Sequence, residues 1–209
     1  MRRKILTLCL VLILLPGVSG FVYAQEELEP APEFQAPGSL DQYLRLRGDM
    51  LVIFGIGGFV PLYTHDFAFG DFRGMGLFPG VSVMLGLDIY WDSNFRMGAS
   101  VGFSTSKGVN ENFVYFLPIS FRAIYELRAY SFSFPLGAEV GVSVGSYREM
   151  LAINPILKVK AGAFWHFTRQ WSVGVDLSYW VVPQVVWTDF PKSRVGGMFE
   201  AIICGQYHF

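Results

Sequence analysis

Apolar residues recur at every second position along most of this chain, the spacing of a strand rather than that of an amphipathic helix. The stretch 194–209, RVGGMFEAIICGQYHF, shows it most fully. Val195, Gly197, Phe199, Ala201, Ile203, Gly205, Tyr207 and Phe209 share an uncharged face, opposite Met198, Glu200, Ile202, Cys204, Gln206 and His208. Seven earlier stretches alternate in the same way, and strands are expected at about 49–61, 79–91, 95–105, 112–127, 130–145, 154–167 and 170–182. Residues 39–48 read equally as a short helix capped by Ser39 or as an early start of the first strand.

The intervals between these stretches alternate in length. Residues 92–94, 128–129 and 168–169 are tight turns, whereas 62–78, 106–111, 146–153 and 183–193 are longer. With an even strand count, both termini and all short turns fall at one end. The expected fold is all-β: an eight-stranded antiparallel up-and-down barrel crossing a membrane.

Composition decides which face looks outward. Apolar residues make up 52% of the chain and charged ones 16%, yet no run of 18 apolar residues follows the N-terminal segment. So greasy a chain, without a membrane-spanning helix, is expected to turn its uncharged faces to lipid. A soluble lipocalin-type barrel also has eight strands but faces its charges outward, and the aromatic faces here would make a poor ligand cavity.

Residues 1–24 read as a cleavable signal peptide, with a basic start at Arg2-Arg3-Lys4, an apolar core over 5–15 and Val22-Tyr23-Ala24 before the cut. Cys9 lies inside that core, which argues against a lipoprotein. Removing the segment takes 3 of 16 basic residues and no acid, so the net charge moves from −1 to 13 − 17 = −4. Residues 25–48 form an acidic, proline-rich periplasmic linker, and 49–209 the barrel, whose charges balance from Met50 onward. No basic stripe suggests nucleic acid. Cys204 is the single cysteine left, so no intrachain disulfide is expected.

The signal peptide, the eight alternating strands, the short turns and the closing GQYHF resemble the small eight-stranded bacterial outer-membrane proteins of the OmpA/OmpX/OmpW type, at the level of architecture over about residues 45–209. The resemblance implies the outer membrane of a diderm bacterium, four extracellular loops, and a barrel-assembly signal carried by Ile203, Tyr207 and Phe209, with Gly205 a weaker fit. Its implied partners are outer-membrane lipid, the barrel-assembly machinery, and an extracellular ligand or host surface met through the loops. Aromatics at the strand ends would form two girdles. Tyr90, Trp91, Phe95, Tyr125, Tyr130, Trp165, Phe167, Trp171, Tyr207 and Phe209 belong to the inner one, and Phe59, Phe103, Phe113, Tyr115, Tyr179 and Trp180 to the outer one.

The inward faces carry the candidate chemistry. Asp88, Glu126, Glu139, Asp176 and Glu200 face Arg96, Arg122, Lys158 and Lys160, five acids to four bases. An eight-stranded barrel is just wide enough for side chains to fill, so these groups are expected to pair as a plug rather than line a pore. Hairpin arithmetic sets Asp88 beside Arg96, Glu139 beside Lys158 or Lys160, and Asp176 opposite Glu200, a pair that would need Arg122, Lys160 or a shared proton.

The function expected is therefore structural or surface-interacting, with a largely plugged lumen. One alternative is a narrow channel for small or hydrophobic solutes. Another is an outer-leaflet lipid-modifying enzyme using His65 and Asp66 with Ser104 and Ser106. Because those residues sit in separate loops, no catalysis is expected. Three histidines and one cysteine make a poor metal site, and Gly55-Ile56-Gly57-Gly58 is no phosphate loop, so no metal or cofactor is expected. Cys204 reads as a small packed hydrophobe. The outer loops mix both signs of charge with Phe, Met and Trp, and are expected to extend strands and pack on one another rather than form an adhesion surface.

Overall fold

The computed structural model describes residues 45–66, 71–109, 111–147, 150–184 and 193–209. The segment read as a signal peptide and residues 25–44 of the linker lie outside them. Nine strands run β1 (Met50–Asp66), β2 (Phe72–Arg73), β3 (Gly80–Tyr90), β4 (Phe95–Lys107), β5 (Phe113–Ala129), β6 (Phe132–Tyr147), β7 (Met150–His166), β8 (Trp171–Gln184) and β9 (Arg194–His208). β2 is a two-residue ribbon on the extension of β1, with Thr64 opposite Arg73. The other eight pair with their neighbours in chain order, all antiparallel, and β1 pairs with β9 to close the barrel. The fold is a closed eight-stranded antiparallel transmembrane barrel. Even its shortest long strand, the 11 residues of β3, reaches the ~9–11 residues that a tilted membrane strand requires.

Several boundaries move from their sequence positions. The first strand continues through 62–66, because a one-residue register shift between Pro61 and Tyr63 lets it keep pairing with β9. β5 runs through Arg128 and Ala129, and the turn falls on Tyr130, whose φ is +53°. Residues 45–49, just before β1, are neither helix nor strand. They fold against the short-turn end, where Gly48 N–H donates to the Tyr90 carbonyl at 2.8 Å.

Alternation divides the wall cleanly. Leu85, Leu87, Val101, Ile119, Phe121, Val140, Leu157, Val175 and Ile203 are exposed on the outside, a solvent-incompatible surface that lipid satisfies. Trp91, Tyr125, Tyr130, Trp165, Phe167, Trp171 and Phe209 are exposed towards the short-turn end, and Phe103, Phe113 and Tyr115 towards the long-loop end. Three residues assigned to the girdles belong elsewhere: Tyr90, Phe59 and Trp180 are buried inside the barrel. Tyr90 is in phase with Asp88, and Trp180 with Asp176 and Ser178, so period two turns them inward.

The closing strand carries two glycines on its outer face, and aromatic rings cover both. A Cβ on Gly205 would meet the Phe54 ring, and one on Gly197 would meet the rings of Tyr63 and Tyr179. The two tyrosine hydroxyls join at 2.7 Å. Rings over glycines thus bind β1, β9 and β8 across the seam where the barrel closes.

Candidate functional site

The lumen is layered. At the short-turn end His166 and His208 lie with ring centroids 5.5 Å apart, and His208 stacks on Tyr90 at 6.4 Å. His166 meets Ser133 at 2.9 Å, while Ser172 donates to the side-chain amide oxygen of Gln206 at 3.0 Å. Arg45, from the segment before β1, donates to the Arg169 carbonyl at 2.9 Å and is itself buried. Burial holds its guanidinium below the usual arginine range.

Above this comes a continuous chain of ion pairs. Arg128 meets Glu126 at 2.8 Å, and Glu126 meets Arg96 at 3.6 Å. Asp88 then links Arg96 at 3.5 Å to Arg122 at 3.2 Å. Arg122 reaches Glu139 at 3.6 Å, and Glu139 also takes Lys158 at 3.6 Å and Lys160 at 2.9 Å. Lys160 ends the chain on Asp176 at 2.8 Å. Strands β3 to β8 supply every member. β1 contributes Leu51 and Ile53 and β9 contributes Ile202 and Cys204, which pack with Met84 and Phe164 as an apolar wedge against the network.

All nine charged residues expected in the lumen are buried there. Their arrangement differs in two ways. Asp176 does not oppose Glu200: it pairs in register with Ile202, and Glu200 pairs with Ser178. A slip of two residues keeps both carboxylates inside while moving them apart, so Asp176 takes Lys160 from the neighbouring strand. Glu200 is instead held by neutral donors: the Ser82 hydroxyl, the Ser178 hydroxyl at 2.9 Å and the Trp180 indole N–H at 3.0 Å. The second difference is Arg128, which joins the network because β5 is longer than expected. Together with Arg96, Arg122, Lys158 and Lys160 it makes five bases to five acids.

A layer that the sequence reading missed crosses the barrel above Glu200. Phe59, Ile156, Trp180 and Met198 are each no more than 2% exposed and pack with Val182, Met75 and Phe116. Phe59 and Phe116 meet edge to face at 6.1 Å. Lys158 lies 3.6 Å from the centroid of the Trp180 ring, so a cation–π contact joins this septum to the ion pairs below. The signal was present: Phe59 shares the phase of Leu51 and Ile53, and Phe116 that of Pro118 and Arg122.

The residues considered for catalysis are dispersed. The shift near Leu62 leaves His65 opposite Val195 with its ring 4.5 Å from that of the exposed Phe72. Ser104 and Ser106 are buried; Ser104 bonds Ser82 at 2.9 Å, and Ser106 donates to the Phe78 carbonyl. Asp66 pairs with Arg194 at 3.4 Å. Among the described residues no group of three His, Cys, Asp or Glu side chains could hold a metal. Of the residues implied as an assembly signal, Ile203 and Phe209 face outward, and Tyr207 stacks on Phe209 at 5.9 Å.

Comparison with known proteins agrees with the barrel fold. A protein-family model matches residues 33–207. A Treponema pallidum (strain Nichols) protein described only as uncharacterized is 26% identical over 212 residues, covering 97% of this chain and 94% of that one. Neisserial surface protein A is 12% identical with a TM-score of 0.54, over 78% of this chain and 97% of that chain. The outer membrane protein OprG from Pseudomonas aeruginosa is also 12% identical with a TM-score of 0.54, over 80% and 98%. At that identity the two structures share the fold with this chain.

Proposed function

The chain belongs to the family whose model matches residues 33–207, and from that premise we propose that it is an integral outer-membrane barrel with a closed, charge-paired lumen. It serves a structural or surface-interaction role through its extracellular loops. The observation that carries this reading is the continuous ion-pair chain from Arg128 to Asp176, roofed by the septum of Phe59, Phe116, Ile156, Trp180 and Met198. Each group of the chain has an opposite charge within 3.6 Å, which weakens its pull on a passing ion, and the apolar layer adds a second barrier.

In this reading the short turns face the periplasm and the long connections face outward. Ile203, Tyr207 and Phe209 present the edge that the assembly machinery takes up, and lipid surrounds the wall. An extracellular ligand or host surface meets the loops. No catalytic role is part of this reading: among the described residues His65 packs on Phe72, while Ser104 and Ser106 are buried and bonded to Ser82 and to the Phe78 carbonyl. A channel for small solutes would require the septum to part and the ion pairs to exchange partners.

Labelling tests the placement of the loops. A cysteine at Val109, exposed at the long-loop end, should react with a membrane-impermeant maleimide on intact cells, in a Cys204→Ser background. One at Asp92, in a short turn, should react after permeabilisation alone. Equal labelling of both in intact cells contradicts the orientation, and protein that washes from membranes at high salt contradicts insertion.

A further inference from the structure

Above the septum the barrel opens into a recess that the lumen network does not use. Its volume is about 820 Å³, within the range of roughly 300–1,000 Å³ typical of small-molecule sites. Phe116 and Met198 form its floor, and Val114, Val182, Met75 and Leu77 form much of its wall. Two of these come from a connection rather than a strand. Gly76, at φ +66°, lets the chain after β2 turn inward, where its carbonyl accepts from Val109 N–H at 3.0 Å and Leu77 bridges to Gly108.

The register shift near Leu62 completes the lining. It returns Thr64, opposite Gly196, to the inner face. Thr64, Asn154 and Gln184 are the neutral polar groups of the wall, and Arg194 is its charged one, already paired with Asp66 at 3.4 Å.

We propose that this recess is a binding site for an uncharged, mainly apolar small molecule carrying one or two hydrogen-bonding groups. Three features point to that class. The walls offer methyl, thioether and ring surface, which a polar solute could not satisfy. The single lining charge has a partner, so nothing in the described wall selects an ion. The polar side chains are few and separate, enough to orient a hydroxyl or carbonyl but not to hold a sugar. The septum makes the recess a dead end, so the molecule enters and leaves from the loop side. The site goes beyond the structural role proposed above and shares with it only the septum that floors the recess, which conductance tests separately from binding.

The methionines are ready reporters. Met75 and Met198 line the recess, Met84 packs in the inner wedge, and Met97 faces lipid on β4. The test uses full-length protein with carbon-13 methionine methyls in lipid nanodiscs, titrated with 1-naphthol. The expected result is saturable shifts at Met75 and Met198, while Met97 moves little or linearly with lipid partitioning. Filling the recess by Ala152→Trp, or by Gly145→Leu should the first fail to fold, should abolish the saturable shifts. Shifts at Met75 and Met198 that grow linearly in step with Met97 would overturn the site, as would no shift, or saturation that survives both fillings.

Discussion

Glu139 is a meeting point of the buried network. It meets Arg122, Lys158 and Lys160, and accepts from the Ser120 hydroxyl at 2.9 Å. Neutralising it by Glu139→Gln leaves three buried cations short of a partner, a change that costs about 3–5 kcal/mol in a buried network. Glu111 provides the contrast: it pairs with Lys107 at 3.3 Å while 85% exposed. Water screens such a pair, so Glu111→Gln should change stability by about 0–1 kcal/mol. Urea unfolding in detergent, followed by heat-modifiable migration, should show a large fall in midpoint for the first and almost none for the second. Arg128 belongs to the same account. Assigned to a turn, it left the strand-borne lumen charges one base short; placed on a longer β5, it makes them five to five, with Arg45 a further buried base at the short-turn end. The alternation alone gave no sign of this, because a strand end depends on pairing with β6, where Arg128 sits opposite Ser133.

At the level of the strand, packing decides which glycines tolerate a side chain. A Cβ on Gly98 would overlap the Leu87 carbonyl and the Asp88 carboxylate, so it presses on both the β3 backbone and the ion pairs. A Cβ on Gly205 would meet only the tip of the Phe54 ring, at 2.5 Å, which can swing into lipid. Gly98→Ala should therefore lower the unfolding midpoint by the equivalent of about 1–3 kcal/mol, and Gly205→Ala by clearly less, in the same urea assay. Equal effects would mean that the network yields more readily than the strand backbone allows.

The strands themselves were legible because each wall position has one wet or charged neighbour and one lipid neighbour, and β3, β4 and β8 alternate accordingly. β1 is the exception. Leu51, Ile53 and Phe59 make its inner face as apolar as its outer one, so alternation of polarity could not show that the lumen has an apolar side. The septum was hidden for the same reason, since an aromatic near a strand end reads as a girdle residue whichever way it points. The separation of Asp176 from Glu200 was hidden differently. Parity places both inside, but only the register of β8 on β9 says which residues face each other.

The whole molecule combines an apolar exterior with an interior that holds a chain of paired charges and a layer of packed rings. The exterior explains its place in a bilayer. In the proposed reading the interior separates it from a pore of the same strand number, because opening either layer would break buried contacts. The recess above the septum and the folded segment around Arg45 below leave the two ends unlike one another.

Conductance across a planar bilayer tests the closed lumen most directly. Purified full-length protein should show no persistent open state in molar potassium chloride. A variant that removes the septum and loosens the network beneath it, Phe59→Ala with Trp180→Ala and Glu139→Gln, should show stable steps of current if it still inserts. A sustained, large open state in the unaltered protein would contradict the account.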